Sequence, residues 1–468
     1  MKDPKVKVKN ILKATFFILG IVLSIDCSSA KQSSWLNSTK PVPEATGNKI
    51  LSVEEMTEDL EYTISVLGDV HPKTYRGFSK KQNRLFESLR SKITEPMDAQ
   101  KFYFIANKIF FSMRDAHTHL YPMKNEKNRF IDLKIEWLKD GLYVKDDVDK
   151  LKKGDRVIAI GDRPVDELLN ELTYIIPSEN PHSIHSKAGS SLIREAYLDQ
   201  LNLIEDDSVV FLVERGNNQL KVNMPLVTKS NNFSKNAPKP WVRFEINKKL
   251  SLGIFTLVSC RYNDEYKNKL KDFFTEAKKH NIQHVAVDVR NNNGGNSRVV
   301  DEFLSYLKIK KYKTFSGEIR YSKATAEQRN TPQDKGYKKP ILRLNTRYNR
   351  KCPYPELMFN GKLYILISAK TFSSANWFAV IVKDNKLGTV IGEPTGNAPT
   401  SYGDILMFQM PNSGFRFSCS HKKWIRPDTS NDPEDGLYPD VTVYTTIQDI
   451  IQNKDAQIEK LKAVIKAK

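Results

Sequence analysis

Four cysteines in 468 residues are too few for a disulfide-dense scaffold, and a chain of this length buries large cores without covalent staples. Long apolar runs are missing too. The most apolar stretch, Ala14 to Ile25, has only twelve uncharged residues; a membrane-spanning helix needs about 20, so a polytopic membrane protein is excluded. Glycine and proline number 21 and 22, far below a collagen-like composition, and 39% hydrophobic with 28% charged residues is too apolar for a wholly disordered chain. No internal repeat is present. There is no Cys/His finger spacing, no aromatic RNP-like strand and no basic heptad region, so the net charge of +19 comes without a nucleic-acid-binding module. It reads as a solvated, lysine-rich surface suited to an anionic cell envelope. Length alone predicts about two to four domains.

The N-terminus reads as an address. Lys2, Lys5, Lys7, Lys9 and Lys13 lead into the apolar run, the pattern of an export signal. Ser28-Ser29-Ala30 supplies small residues for cleavage after Ala30. Cys27 offers lipid attachment instead, although Asp26 stands where a small residue is usual, and an uncleaved anchor is the third option. All three export the chain to the cell envelope, with N-terminal membrane attachment in two of them. Cys260, Cys352 and Cys419 then remain, an odd number that leaves at least one without an intramolecular partner.

Residues 31–49 read as a linker. Ser52 with Glu55 forms a capping box, and Met56, Leu60, Ile64 and Leu67 share one helical stripe; a second helix is expected over Ala99 to Met113. Together these predict a small helical N-terminal domain over 50–125. From Ile131 short strands take over, at 133–137, 141–144, 155–160, 208–214 and 220–224, with a helix at 165–172 and a helical insertion around 177–203; this predicts a β-rich domain over 130–228. Asn and Pro clusters at 228–241 mark a boundary. Over 240–448 strand and helix alternate in a βαβ rhythm, which predicts a mixed α/β domain with a mainly parallel sheet, and a helix follows over 449–468.

Three segments carry candidate chemistry. Thr371-Phe372-Ser373-Ser374-Ala375-Asn376 joins an apolar strand to a helix, where a serine hydroxyl is exposed and the first N–H groups of the helix can stabilise an oxyanion; the plain reading is a helix N-cap. Asp288 to Asn296 contains Gly294-Gly295 at another strand end, where paired glycines let backbone approach a ligand; the plain reading is a tight turn. Arg114-Asp115-Ala116-His117-Thr118-His119-Leu120 supplies histidine, the side chain suited to act as base near neutral pH. On a strand His117 and His119 would share one face, a spacing also compatible with zinc if further ligands converge.

In this order the segments resemble the C-terminal processing (tail-specific) serine peptidases. Asp288 to Gly295, Ser373 to Asn376, Lys383-Asp384-Asn385, Gly392-Glu393-Pro394-Thr395 and Tyr438-Pro439-Asp440-Val441 follow that family's strand–helix layout, and Gly154 to Asp162 looks like its PDZ-type strand and turn. Asp115-Ala116-His117-Thr118 resembles the Asp-Gly-His-Thr element of the histidine-using, tricorn-core-like branch. The lysine base of the processing peptidases proper is absent, since the corresponding segment reads Gly396-Asn397-Ala398-Pro399-Thr400. The resemblance implies an exported serine endopeptidase with Ser373 as nucleophile and His117 as base. Ser374 and Gly294 or Gly295 then donate to the oxyanion, and Glu434 is the orienting acid. Ser374 and His119 are the neighbouring alternatives for nucleophile and base. It implies peptide or protein substrates, no cofactor, no metal and no nucleic acid, and assigns no oligomeric state. Two rival readings are a peptide- or apolar-ligand-binding protein that lost catalysis and a zinc hydrolase using His117 and His119.

Overall fold

The structure is a computed structural model that describes residues 49–122, 129–228, 239–331, 338–341 and 345–467. The expected leader, nearly all of the linker and most of the 228–241 boundary lie outside the described residues. Among the described residues no helix is long and apolar enough to cross a membrane.

The C-terminal half is built on a six-stranded sheet in the spatial order Val242–Asn247, Leu252–Leu257, His284–Asp288, Lys362–Ile367, Gly388–Gly392, Val441–Thr442. Its first pair is antiparallel and the rest are parallel, as the βαβ rhythm predicts. Strands buried on both faces read as continuous apolar runs, and Leu363 to Ile367 are all buried. Alternation sends Val285, Val287, Ile365 and Ile367 to one face, under helices Asp264–Lys279, Arg298–Ser305 and Ser374–Asp384. It sends Ala286, Tyr364 and Leu366 to the other, under Leu461 and Ile465 of the C-terminal helix Ala456–Lys466.

The β-rich domain is an antiparallel sheet of seven strands between Phe130 and Val227. Helix Val165–Leu172 and the inserted helices Pro181–Ser191 and Glu195–Gln200 close its core through Leu168, Leu172, Ala188, Leu192 and Leu198.

At the N-terminus, helices Val53–Val70 and Ala99–Met113 form where expected, the first with the Ser52–Glu55 capping box in place. A further helix, Lys80–Arg90, was not expected from the sequence. Its apolar positions are few, and Ser79 with Gln82 caps it. These helices do not close a core of their own. Phe102, Phe110 and Met113 pack with Phe408, Phe415 and Phe417, which belong to or adjoin strands Ser401–Gln409 and Arg416–Ile425 of a four-stranded antiparallel sheet. Cys260, Cys352 and Cys419 are all free thiols.

Candidate active site

Strand Lys362–Ile367 runs out of the sheet into a loop that ends at Ser373, and helix Ser374–Asp384 begins at the next residue. Ser373 has φ 53° and ψ −125°. A serine in this region costs on the order of 1–3 kcal/mol and persists only where its surroundings over-determine it. They do so here. The Phe372 N–H donates to Asn292 O at 3.0 Å, Thr371 Oγ1 to Val289 O at 3.0 Å, and the Ser373 N–H to Asn397 Oδ1 at 2.8 Å. The Ser373 side chain makes no cap hydrogen bond, so the plain N-cap reading does not describe it. The adjacent serine differs. Ser374 is buried and its hydroxyl donates to Gly295 O at 2.6 Å, which occupies it.

The glycine pair faces this loop. Gly294 has φ 96°, and a Cβ on it would stand 2.5 Å from Ser373 Cβ and 2.9 Å from Phe372 O. Gly295 has φ 133°, and a Cβ there would meet Cys260 O at 2.4 Å. Only glycine fits either position. The Gly294 N–H is committed to Asn292 Oδ1 at 2.8 Å, and buried Asn292 is itself held by Leu257 O at 2.9 Å.

The histidine segment is a turn, not the strand on which His117 and His119 would share a face. The reason is Asp115, whose buried Oδ1 accepts the His117 N–H at 2.9 Å and closes an Asx turn. Its Oδ2 accepts from Thr118 Oγ1 and Ser420 Oγ, both at 2.6 Å, and lies 3.1 Å from His71 Nε2. Because His71 Nδ1 accepts the Lys73 N–H at 3.1 Å, His71 Nε2 carries the hydrogen and donates to Asp115. Burial opposes charge on Asp115, but these donors and the neighbouring histidines hold its carboxyl well below the usual range.

The His117 ring lies against Phe372, with centroids 4.4 Å apart, so the imidazole sits beside the residue that precedes Ser373. Its Nδ1 is buried without a hydrogen-bond partner and lies 3.8 Å from Asp115 Oδ1. Burial lowers its pKa, offset in part by Asp115. His119 turns elsewhere: its Nδ1 is 3.1 Å from Ala116 O, its ring packs on Tyr121, and burial holds it down to about 4.

Glu434 is not brought to His117. Its carboxylate pairs with the fully buried guanidinium of Arg426, which also binds Asp384 at 2.6 Å. Among the described residues no contact links Glu434 to His117, so the pairing seen for it does not itself support the orienting role expected of it. The carboxyl that does arrive is Glu179, from the segment between helices Val165–Leu172 and Pro181–Ser191. Glu179 Oε2 accepts from Asn397 Nδ2 and from the Ala398 N–H, both at 2.7 Å, while Oε1 accepts the Ala116 N–H at 3.4 Å. Burial and the nearby Asp115 charge push its carboxyl up to about 8. One ligand atom from each of Asp115, His117 and Glu179 falls within 4.8 Å of the others, and among the described residues no such group of three holds both His117 and His119. Nothing in the sequence marks Glu179, which lies in a stretch readable only as insertion. Asn397 was visible only as the residue standing where a lysine is missing.

Residues 251–443 match the sequence model of peptidase family S41. Mature CPAF is a structural neighbour with TM-score 0.63 and 15% identity over 88% of this chain and 97% of that one. CPAF complexed with lactacystin matches with TM-score 0.62 and 15% identity over 89% and 98%. The photosystem II D1 C-terminal processing protease matches with TM-score 0.43 and 15% identity over 83% and 93%. No curated protein matches the chain at a significant level.

Proposed function

We propose that this chain, which carries a peptidase family S41 domain of the serine type acting on peptides or proteins, is an exported endopeptidase that works through an acyl-enzyme on Ser373 with His117 as base. The observation that carries the reading is Ser373 itself: a strained, uncapped serine at a strand end, with the His117 imidazole packed on the neighbouring Phe372.

The chemistry follows from the placement. His117 Nδ1 lies 3.8 Å from Asp115 Oδ1, which leaves Nε2 to take the Ser373 proton. The Ser373 oxygen attacks the peptide carbonyl, and negative charge develops on the carbonyl oxygen. The N–H groups of Ser374 and Gly295 are the donors assigned to it, since that of Gly294 is committed to Asn292. His117 then returns its proton to the leaving amine, and water releases the acyl group by the same route in reverse. Positive charge on the imidazole is favoured by ionised Asp115, which takes the role expected of Glu434. The basic leader and apolar run before residue 30 support export, with maturation after Ala30 or lipidation at Cys27. The β-rich domain is suited to hold a peptide by strand addition at a sheet edge.

Intact mass after fluorophosphonate treatment tests the site. One adduct on the wild type, absent from Ser373→Ala and His117→Ala, is expected. An adduct that persists in Ser373→Ala moves the nucleophile, and none on the wild type favours a binding protein that lost catalysis.

A further inference from the structure

His117 packs beside the residue that precedes Ser373, from a distant part of the chain, and a third part hydrogen-bonds to the segments that hold each of them. The Glu179 carboxyl holds Asn397 Nδ2 and the Ala398 N–H on one oxygen, and Asn397 in turn fixes the Ser373 N–H. The other oxygen accepts the Ala116 N–H, one residue before His117. Its neighbour Asn180 docks the same segment on the S41 domain. Asn180 Oδ1 caps helix Pro181–Ser191 through the Ser183 N–H at 2.8 Å, while Nδ2 donates to Thr395 O at 2.9 Å and Asp435 O at 2.6 Å. A second tie runs from the edge strand of the β-rich sheet to the nucleophile loop, where Glu136 pairs with Lys370 at 2.9 Å.

Taking the half-buried Glu179 carboxyl out of water to join two domains is costly unless hydrogen bonds satisfy it. Its value lies in geometry, since it accepts from two loops at once where an apolar side chain accepts from none. We propose that Glu179 is a positioning residue that clamps the nucleophile loop and the histidine turn in register, making the β-rich domain a working part of the peptidase site. This rests on the assignment of Ser373 and His117.

The groups facing Glu179 are Asp115 and His117 from the histidine turn, Lys187 from helix Pro181–Ser191, and Tyr402. Lys187 is itself held by Pro177 O at 3.1 Å. With its carboxyl pushed up to about 8, Glu179 is mostly protonated at neutral pH, so glutamine is its close mimic. A glutamine oxygen still accepts from Asn397 and Ala398, and alanine accepts from neither.

The full chain is purified as wild type, Ser373→Ala, Glu179→Ala, Glu179→Gln and Asn180→Ala. Peptide hydrolysis, fluorophosphonate labelling rate and Tm are measured for each. Misplacing a reacting group by about 1 Å costs about 10²-fold, so Glu179→Ala is expected to lose about that much in kcat and in labelling rate. Its KM should stay within about threefold, and Glu179→Gln should recover kcat to within about fivefold of wild type. Asn180→Ala, which loosens the same docking contact, is expected to lower Tm with a smaller loss of kcat than Glu179→Ala. Wild-type kcat in Glu179→Ala while Ser373→Ala is dead overturns the clamp. So does a Glu179→Gln variant as inactive as Glu179→Ala at unchanged Tm, or an equal kcat loss in Asn180→Ala. A wild type that neither hydrolyses peptide nor takes the label overturns the underlying assignment of Ser373 instead.

Discussion

Two residues near Ser373 show how narrowly single positions are constrained. At Gly294 a methyl group would collide with Ser373 Cβ at 2.5 Å and would hold an L-residue at φ 96°, where side chains are strained. Gly294→Ala is expected to cost roughly 1–3 kcal/mol in stability and to abolish fluorophosphonate labelling, because either member of the colliding pair must move. Equilibrium urea unfolding with labelling alongside checks both. Asp115 is the opposite case, a group whose removal leaves others stranded. It satisfies His71 Nε2, Thr118 Oγ1, Ser420 Oγ and the His117 N–H. Asp115→Ala therefore leaves buried donors unpaired, at about 1–3 kcal/mol for each, and frees the turn that aims His117. A marked drop in urea midpoint with loss of hydrolysis is the expected result; a midpoint equal to wild type would mean that the turn is held by something else.

At the scale of elements, regular structure was more legible than the connections between them. The helix over Ala99–Met113 and the strand over Gly141–Val144 fall where periodicity and turn residues put them. The parallel core was also readable, because strands such as Leu363 to Ile367 are unbroken apolar runs. Helix Lys80–Arg90 was hidden, since only Gln82, Phe86 and Leu89 are buried on it and such a sparse face leaves a weak period. The candidate site was readable where its residues sit in local motifs, as at Gly294-Gly295, Ser373 and His117, and opaque where a side chain meets its partners across domains, as Glu179 does. Glu179 and Glu434 are both acids in polar loops, and what separates them is the partner each meets in three dimensions. Glu434 meets Arg426, so Glu434→Gln is expected to destabilise the fold by about 1.5–3 kcal/mol for a charged hydrogen bond, read as a lower urea midpoint, while kcat stays within about threefold. A collapse of kcat at unchanged stability would return Glu434 to the reacting centre.

Over the whole molecule, buried titratable groups set opposing slopes of stability against pH. Burial holds His119 and His421 down to about 4, against about 6.5 in an unfolded chain. Below about 6.5 the unfolded state therefore binds more protons, and stability is lost as pH falls from there towards 4. Glu179 has the opposite sign. Burial and Asp115 push it up to about 8, so between about 4.5 and 8 the folded state holds a proton that the unfolded chain has released, and stability is lost as pH rises. On the acid side these two histidines are joined by His71, His117, His182 and His185, which burial also lowers, against Glu179 and the raised Asp59 and Glu393; above about 6.5 the carboxyls act without the histidines. Tm is thus expected to peak at about pH 6–7 and to fall on both sides, with Glu179→Gln flattening the alkaline fall and steepening the acid one. Scanning calorimetry from about pH 4.5 to 8.5 measures both limbs. The threading of the site through the chain also bears on how the protein is made. The histidine turn and the Glu179 segment leave the ribosome first, and Asn397 follows His117 by about 280 residues, some tens of seconds at about 5–20 residues per second. Until Ser373 and then Asn397 have been made, the nascent chain holds His117 without the loop that it packs against, so the candidate site closes only late in synthesis.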